Sequence, residues 1–331
     1  MKYLALFITS LLLVVTGCDT TVKPGDSGRI LPNITGGAGE VLVVVDQYIW
    51  DKQTGELLKD LLQEEFPGLP QSEPIFDVTQ ITASSFDNMF RFHRSVVLVT
   101  IKESVEEPAV RYRKNVWAKP QILVQLEAPD IQQLQQLIRD NMDQIQGFLV
   151  QYDRQRLTDS YADSKDLEIQ KKLAENHQIR LAIPRGYNVD FFTDNFSSVS
   201  IETPDFSQVI QVYEYPATSK DDLQSGRILE NRNDFVKKYV KGPREGSYIT
   251  TSMVYPPIFY DVQKKGMKLV ETRGLWELEN GFMGGPFVSH SVFDEKRQRI
   301  VTVEGYLYYP NQKKRIKIRQ LEAIIYSLEF I

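Results

Sequence analysis

The sequence predicts an α+β protein built from two α/β sandwich domains, the second mainly an antiparallel sheet covered by a C-terminal helix. Three observations predict it. Residues 40–160 interleave short β-branched apolar runs with segments of helical spacing, the pattern of strands alternating with helices. Residues 179–331 carry a succession of extended segments broken by turn residues, the pattern of antiparallel hairpins. The chain closes on Ile318, Leu321, Ile325 and Leu328, at steps of three, four and three, which lie on one face of a helix.

In the first domain, Val41 to Val45 is a continuous apolar run suited to a strand buried on both faces. Leu57, Leu58, Leu61, Leu62 and Phe66 then share a helical face, and Pro67-Gly68 stops that helix. Strands are expected at Phe76 to Ile81, Val96 to Ile101 and Gln121 to Leu126, with a short helix near Ser84 to Phe92. Pro129-Asp130 opens a long helix through Ile131, Leu134, Ile138, Ile145, Phe148 and Tyr152. Residues 161–178 form a helical connector, with a helix over Ser164 to Asn176. In the second domain, strands are expected at Ile179 to Ile183, Ser198 to Glu202, Gln208 to Tyr215, Tyr248 to Tyr255, Tyr260 to Val262, Lys268 to Leu278, Phe287 to Phe293 and Arg299 to Tyr308. A helix near Asn233 to Tyr239 interrupts them, and Asp294 to Gln298 is a polar hairpin turn.

Ahead of both domains, Met1-Lys2 and the apolar run Tyr3 to Val15 end in Val15-Thr16-Gly17-Cys18. The run falls short of the roughly 20 apolar residues that span a bilayer, so residues 1–17 read as a cleaved signal peptide. A cysteine directly after the small residues can take a diacylglyceryl group as a thioether, which makes Cys18 the expected lipid-attachment site and the start of the mature chain. Cys18 is the single cysteine, so no disulfide is available and stability must come from packing. Residues 18–39 are rich in Gly, Pro, Thr, Asp and Asn and read as a flexible tether, Gly36-Gly37-Ala38-Gly39 included. A net charge of -5 with basic residues spread along the chain excludes a nucleic-acid footprint and a polybasic lipid patch. The membrane is therefore expected as a partner through lipid alone.

Arg273-Gly274-Leu275-Trp276, then Met283-Gly284-Gly285-Pro286-Phe287-Val288-Ser289, then Arg319-Gln320-Leu321-Glu322-Ala323-Ile324, resemble an uncharacterised bacterial lipoprotein family, domain of unknown function 4837. Lys119-Pro120-Gln121 and Gly242-Pro243 to Gly246-Ser247-Tyr248 support it more weakly, and the resemblance extends over essentially the whole mature chain. It implies an envelope lipoprotein of diderm bacteria, outer membrane before inner, and supplies no reaction or cofactor. The layout of the second domain is also similar to the PsbP and Mog1 type of sandwich, a likeness of fold only.

No side-chain pattern names a reaction, cofactor or metal. Ser289-His290-Ser291 lies in a strand, so His290 points away from both serines and cannot take a proton from either. His93, His177 and His290 are far apart, lack paired ligands and read as partly exposed polar residues. Glu271 shares a strand face with Arg273, whereas Glu304 lies with Tyr306 and Tyr308; these read as a charged cross-strand network on a solvent face. The stretch Arg273 to Val288 joins turn-permitting glycines to aromatic and charged side chains, which fits either a well-packed strand-turn-strand or a partner-binding loop. The partner-binding candidates are Glu271, Arg273, Trp276, Met283, Gly284, Gly285, Phe287, His290 and Glu304. The expectation is a membrane-anchored binding or assembly module without catalysis, with a protein partner in the envelope. The alternatives are a hydrolase of envelope glycan or peptide, and a carrier of lipid or small ligand.

Overall fold

The computed structural model describes residues 30–331 apart from 265. Cys18, the expected signal segment and the start of the expected tether lie outside the described residues. Among those described, no helix is long and apolar enough to cross a membrane.

The first half opens with β1 (Glu40–Val44), α1 (Gln47–Trp50) and α2 (Gln53–Leu62), followed by β2 (Asp77–Ile81), α3 (Asn88–Arg91), β3 (Ser95–Ile101), β4 (Ala109–Lys114) and β5 (Ile122–Ala128). These strands form one sheet in the order β2-β1-β3-β5-β4, parallel except for the antiparallel edge strand β4. The fully buried Val41, Val43 and Val44 occupy β1 inside the sheet, as a run without polar alternation requires. β4 was not expected from the sequence: its Arg111, Arg113 and Lys114 mask a weak alternation that suits an edge position.

A 33-residue helix, α4 (Ile131–Asp163), starts from the Asp130 side chain, which accepts from the Gln133 amide as an N-cap. It lies against α2 and β5 of the first half and α7 of the second. α5 (Leu167–His177) follows, capped by Asp166. The expected strand at Ile179 to Ile183 shrinks to β6 (Ile179–Arg180).

The second half continues with β7 (Asn188–Phe192), β8 (Phe196–Glu202), β9 (Ser207–Pro216), α6 (Ser225–Tyr239), β10 (Tyr248–Thr251), β11 (Ile258–Lys264), β12 (Met267–Glu279), β13 (Gly284–Asp294), β14 (Arg299–Tyr308), α7 (Arg315–Ile325) and β15 (Glu329–Phe330). β15 pairs with β6, while the others form an antiparallel sheet in the order β10-β12-β13-β14-β9-β8-β7, with β11 also on β12. β7 is a strand the sequence reading lacked, and α6 starts eight residues earlier than Asn233. The strand expected to Tyr255 stops at Thr251, ahead of Pro256-Pro257.

Helices cover both faces of this sheet. Ile318, Leu321 and Ile325 of α7 pack with Ile210, Val212, Val288, Val301 and Val303 on one face, in a core continuous with that of the first half. Val236 of α6 packs with Val209, Trp276, Phe287 and Tyr306 on the other. Pro32–Ile331 thus holds two sheets around a shared apolar layer.

The end of the expected tether is held against this body. Asn33 and Thr35 bridge to Lys119 and His93, and the Gly39 amide donates to buried Asp153 Oδ2 at 3.0 Å. Backbone pairing and a buried carboxylate fix residues whose composition alone reads as flexible.

Candidate functional site

β12 places Glu271 and Arg273 on the sheet face turned toward α7 and the first half. Arg273 Nε donates to Glu271 Oε1 at 2.7 Å, and its Nη2 meets Glu322 Oε1 of α7 at 2.6 Å. His290 stands opposite Glu271 across β12 and β13, with Nε2 to Oε2 at 3.0 Å, and the Tyr326 hydroxyl donates to the same oxygen at 2.6 Å. The buried Nη1 of Arg273 and Nδ1 of His290 have no hydrogen-bond partner among the described residues.

The electrostatics follow from these contacts. Burial alone would raise the Glu271 carboxyl, but the Arg273 guanidinium and the His290 and Tyr326 hydrogen bonds hold it far below the usual carboxylate range. Burial opposes the Arg273 charge, and Glu322 and Glu271 outweigh it, raising the guanidinium further. His290 moves down because burial outweighs the pull of Glu271, so it stays neutral and its Nε2–H donates to the carboxylate.

Glu271, Arg273, Glu322 and Tyr326 floor a cleft of about 490 Å³ between the two halves, with His290 buried beneath. Its walls are Phe66 and Pro67 after α2, Gly147, Val150 and Arg154 of α4, and Tyr260 and Val262 of β11. Gly68 is required beside it: its φ is +78°, and a Cβ there would come within 2.9 Å of Arg273 Cβ. Arg154 stacks on the Tyr326 ring, 3.3 Å from its centroid. β11 is an edge strand, paired among the described residues only with β12, and it runs along the rim.

Of the residues singled out in the sequence, the structure brings Glu271, Arg273 and His290 together and separates them from the rest. Glu304 points to the opposite face, where Arg232 of α6 grips it through Nε and Nη2 at 2.9 and 2.8 Å. Trp276 and Phe287 are buried on that same face, with the Arg232 guanidinium 3.8 Å from the Phe287 ring centroid. Met283 packs half-buried at the edge of their cluster and Gly284 is exposed. Gly285 fills a crossing, since a Cβ there would lie 2.0 Å from the Leu307 carbonyl oxygen. Ser291 Oγ meets Thr302 Oγ1 at 2.8 Å, on the side of the strand away from His290.

Two expectations are corrected. The charged network is not on a solvent face: Glu271, Arg273 and Glu304 are 4%, 7% and 0% exposed, because helices lie over both sides of the sheet. His177 and His290 are buried, with His177 between Ser197 Oγ at 2.7 Å and Glu214 Oε2 at 3.1 Å; only His93 is partly exposed.

Sequence reasoning missed Glu322, Tyr326 and Arg232. A signal existed for two of them. Glu322 lies four residues after Ile318 and three before Ile325, and Arg232 lies four from both Ile228 and Val236, so each is a charge on an apolar helical stripe.

Residues 166–327 match the family described as Domain of unknown function (DUF4837). Residues 35–162 match a separate family, Domain of unknown function (DUF8532), so the first resemblance is narrower than the whole mature chain. No curated protein matches. Among solved structures, the chain is similar to the Saccharomyces cerevisiae Ran-binding protein Mog1p, at 10% identity over 46% of this chain and 90% of that one, with a TM-score of 0.32. It is also similar to a Mog1 mutant, at 9% identity over 46% and 91% with a TM-score of 0.28. The human StarD13 lipid transfer and protein localization domain matches at 14% identity over 48% and 94%, with a TM-score of 0.22. Likeness at this level carries no conclusion about function.

Proposed function

We propose that this protein is a lipid-anchored binding module of the cell envelope, without catalysis of its own, that holds an extended segment of a partner protein in the cleft between its halves. The observation that carries the reading is the cleft itself: a ligand-sized volume beside an open strand edge, floored by the Arg273 guanidinium and the carboxylates of Glu271 and Glu322. A partner strand laid along β11 would find backbone donors and acceptors at its rim. A hydrolase using Glu271, Arg273, Glu304 and Tyr306 together is disfavoured, since Glu271 and Arg273 lie on one sheet face and Glu304 and Tyr306 on the other. The charged floor also distinguishes the cleft from a lipid-carrying cavity.

The anchor is read from Val15-Thr16-Gly17-Cys18, and the outer membrane is the proposed location. Cys18→Ser should move the protein from the membrane fraction to the soluble one, and wild-type protein should band with outer-membrane markers on a density gradient. Retention of the Cys18→Ser form in membranes would sink the anchor.

For the cleft, Gly147 offers a direct test, because a Cβ there meets nothing within 4 Å and a larger side chain can grow into the cleft. Gly147→Trp should abolish crosslinking of full-length protein to its partner in intact cells. The control Gly226→Trp, also in open space but on α6, should leave crosslinking intact. A partner still captured by a folded Gly147→Trp protein rules the cleft out.

A further inference from the structure

A second cavity, of about 360 Å³, opens on the opposite face of the second sheet, near the C-terminal end of α6. Trp276, Tyr306, Tyr308 and Tyr239 contribute aromatic surface, and Asp190 and Glu202 contribute charge. Neither carboxylate pairs with a cation among the described residues. Asp190 sits where the pairing of β7 with β8 slips between Val189 and Phe191, a bulge that re-aims a side chain. Its carboxylate is then fixed by Ser198 and Ser200, whose hydroxyls donate to it at 2.7 and 2.6 Å. Tyr306 is 8% exposed and lines the cavity, yet its hydroxyl makes no hydrogen bond to a described residue. Burial, together with the negative charges of Glu304 and Asp190, keeps that phenol protonated well above its ordinary range.

We propose that this cavity binds an organic cation, an ammonium group carried on a small apolar frame. Three features favour positive charge over a neutral ligand. The carboxylates supply Coulombic attraction, the ring faces supply quadrupole attraction, and the end of α6 presents the negative pole of its dipole through Tyr239 and Val240. The Tyr306 hydroxyl supplies a hydrogen-bonding partner for a polar group on that frame, such as the hydroxyl that choline and its uncharged isostere share. Lys241 at the rim does not occupy the place, because its Nζ turns back to donate to the Lys237 carbonyl at 2.5 Å. The site is independent of the inter-half cleft, which lies across the sheet.

Choline and its uncharged isostere 3,3-dimethylbutan-1-ol serve as probes, titrated into full-length protein in a nonionic detergent without a choline head and followed by calorimetry and saturation-transfer NMR. Choline should bind saturably and about tenfold or more tighter than the isostere, and high salt should weaken it. Asp190→Asn and Glu202→Gln should each weaken choline several-fold while leaving the unfolding temperature and the binding of the isostere unchanged; both residues are exposed, so folding should survive. Equal binding of the two probes, absence of saturable choline binding, or choline binding indifferent to both substitutions in folded protein would each overturn the proposal.

Discussion

Glu271 of β12 and Glu304 of β14 point to opposite faces of one sheet, and each meets a different buried arginine, Arg273 on the α7 side and Arg232 on the α6 side. The two acids lie near each other in strand register, since His290, opposite Glu271, neighbours Ser289, opposite Glu304. The pleat alone divides them. The sheet therefore carries two separate charged centres, each under its own helix.

The α6 centre can be opened by removing one partner. Arg232→Ala should leave Glu304 buried without a counter-charge and destabilise the protein by about 3–5 kcal/mol. Replacing both, with Arg232→Met and Glu304→Leu, should recover most of that loss, less about 1 kcal/mol each for the partners left at Tyr213 and Thr251. Urea midpoints of the three proteins check this. A double replacement as unstable as the single one would mean that the ion pair itself is required.

The α7 centre makes stability fall with acid. His290 of this centre, and separately His93 beside the strap at Thr35, titrate below 6.5 when folded, chiefly through burial, so the unfolded chain binds more protons as pH falls through 6.5 and the folded state loses ground. Above 6.5 their contribution is fully present. Glu271 acts in the same direction in a lower window: the unfolded carboxyl protonates near 4.5 while the folded one stays ionised, so its contribution is lost below that value. Each tenfold difference in proton affinity between the folded and unfolded chain is worth about 1.4 kcal/mol. Denaturation midpoints should be flat above about pH 6.5 and fall below it, and His290→Gln, which keeps a donor for Glu271, should shallow the fall. The same slope in His290→Gln would remove His290 from the explanation.

Much of this architecture was legible because it depends on apolar spacing. β1 and α7 could be read from Val41 to Val45 and from Ile318, Leu321 and Ile325, since burial imposes a strict period on such runs. The charged centres were harder to read, because a buried Glu or Arg has the same letter as a solvated one and its burial depends on which helix covers the strand. Arg273 shows the difficulty: its sharing of a strand face with Glu271 was legible, but Glu322, which neutralises it, lies 49 positions on, in another element. The strap at residues 33–39 was missed for a similar reason, as its Gly and Thr content says nothing of the distant Asp153, His93 and Lys119 that hold it.

Asp153 is the carboxylate on which that strap depends. It meets Arg94 at 3.1 Å, Arg156 at 3.2 Å and Arg319 of α7 at 3.5 Å, besides the Gly39 amide. Arg156 is already pushed down to about 10 by burial and by Arg94, despite Asp153. Asp153→Asn keeps an acceptor but removes the charge, leaving three arginines without this counter-ion. The expected cost is about 3 kcal/mol or more, with faster hydrogen exchange at Gly39. Exchange unchanged at Gly39 in a folded Asp153→Asn protein would show that the backbone bridges alone hold the strap.

The stretch Arg273 to Val288 separates into a core and a tip, and substitution should divide them. Trp276 is 3% exposed, donates its indole N–H to the Leu307 carbonyl at 3.1 Å and meets Tyr306 edge-on at 5.5 Å between centroids. Truncating it removes a large apolar volume and leaves a buried carbonyl without its donor, so Trp276→Ala should cost about 3–5 kcal/mol. Phe282, at 91% exposed, lies on the turn of the same hairpin, and Phe282→Ala should change stability by no more than about 0.5 kcal/mol. Loss of partner capture in Trp276→Ala would therefore report unfolding, not a lost contact, and only a variant with an unchanged midpoint can report on binding at this hairpin. Equal, small effects on stability from both substitutions would show that Trp276 is not holding α6 to the sheet.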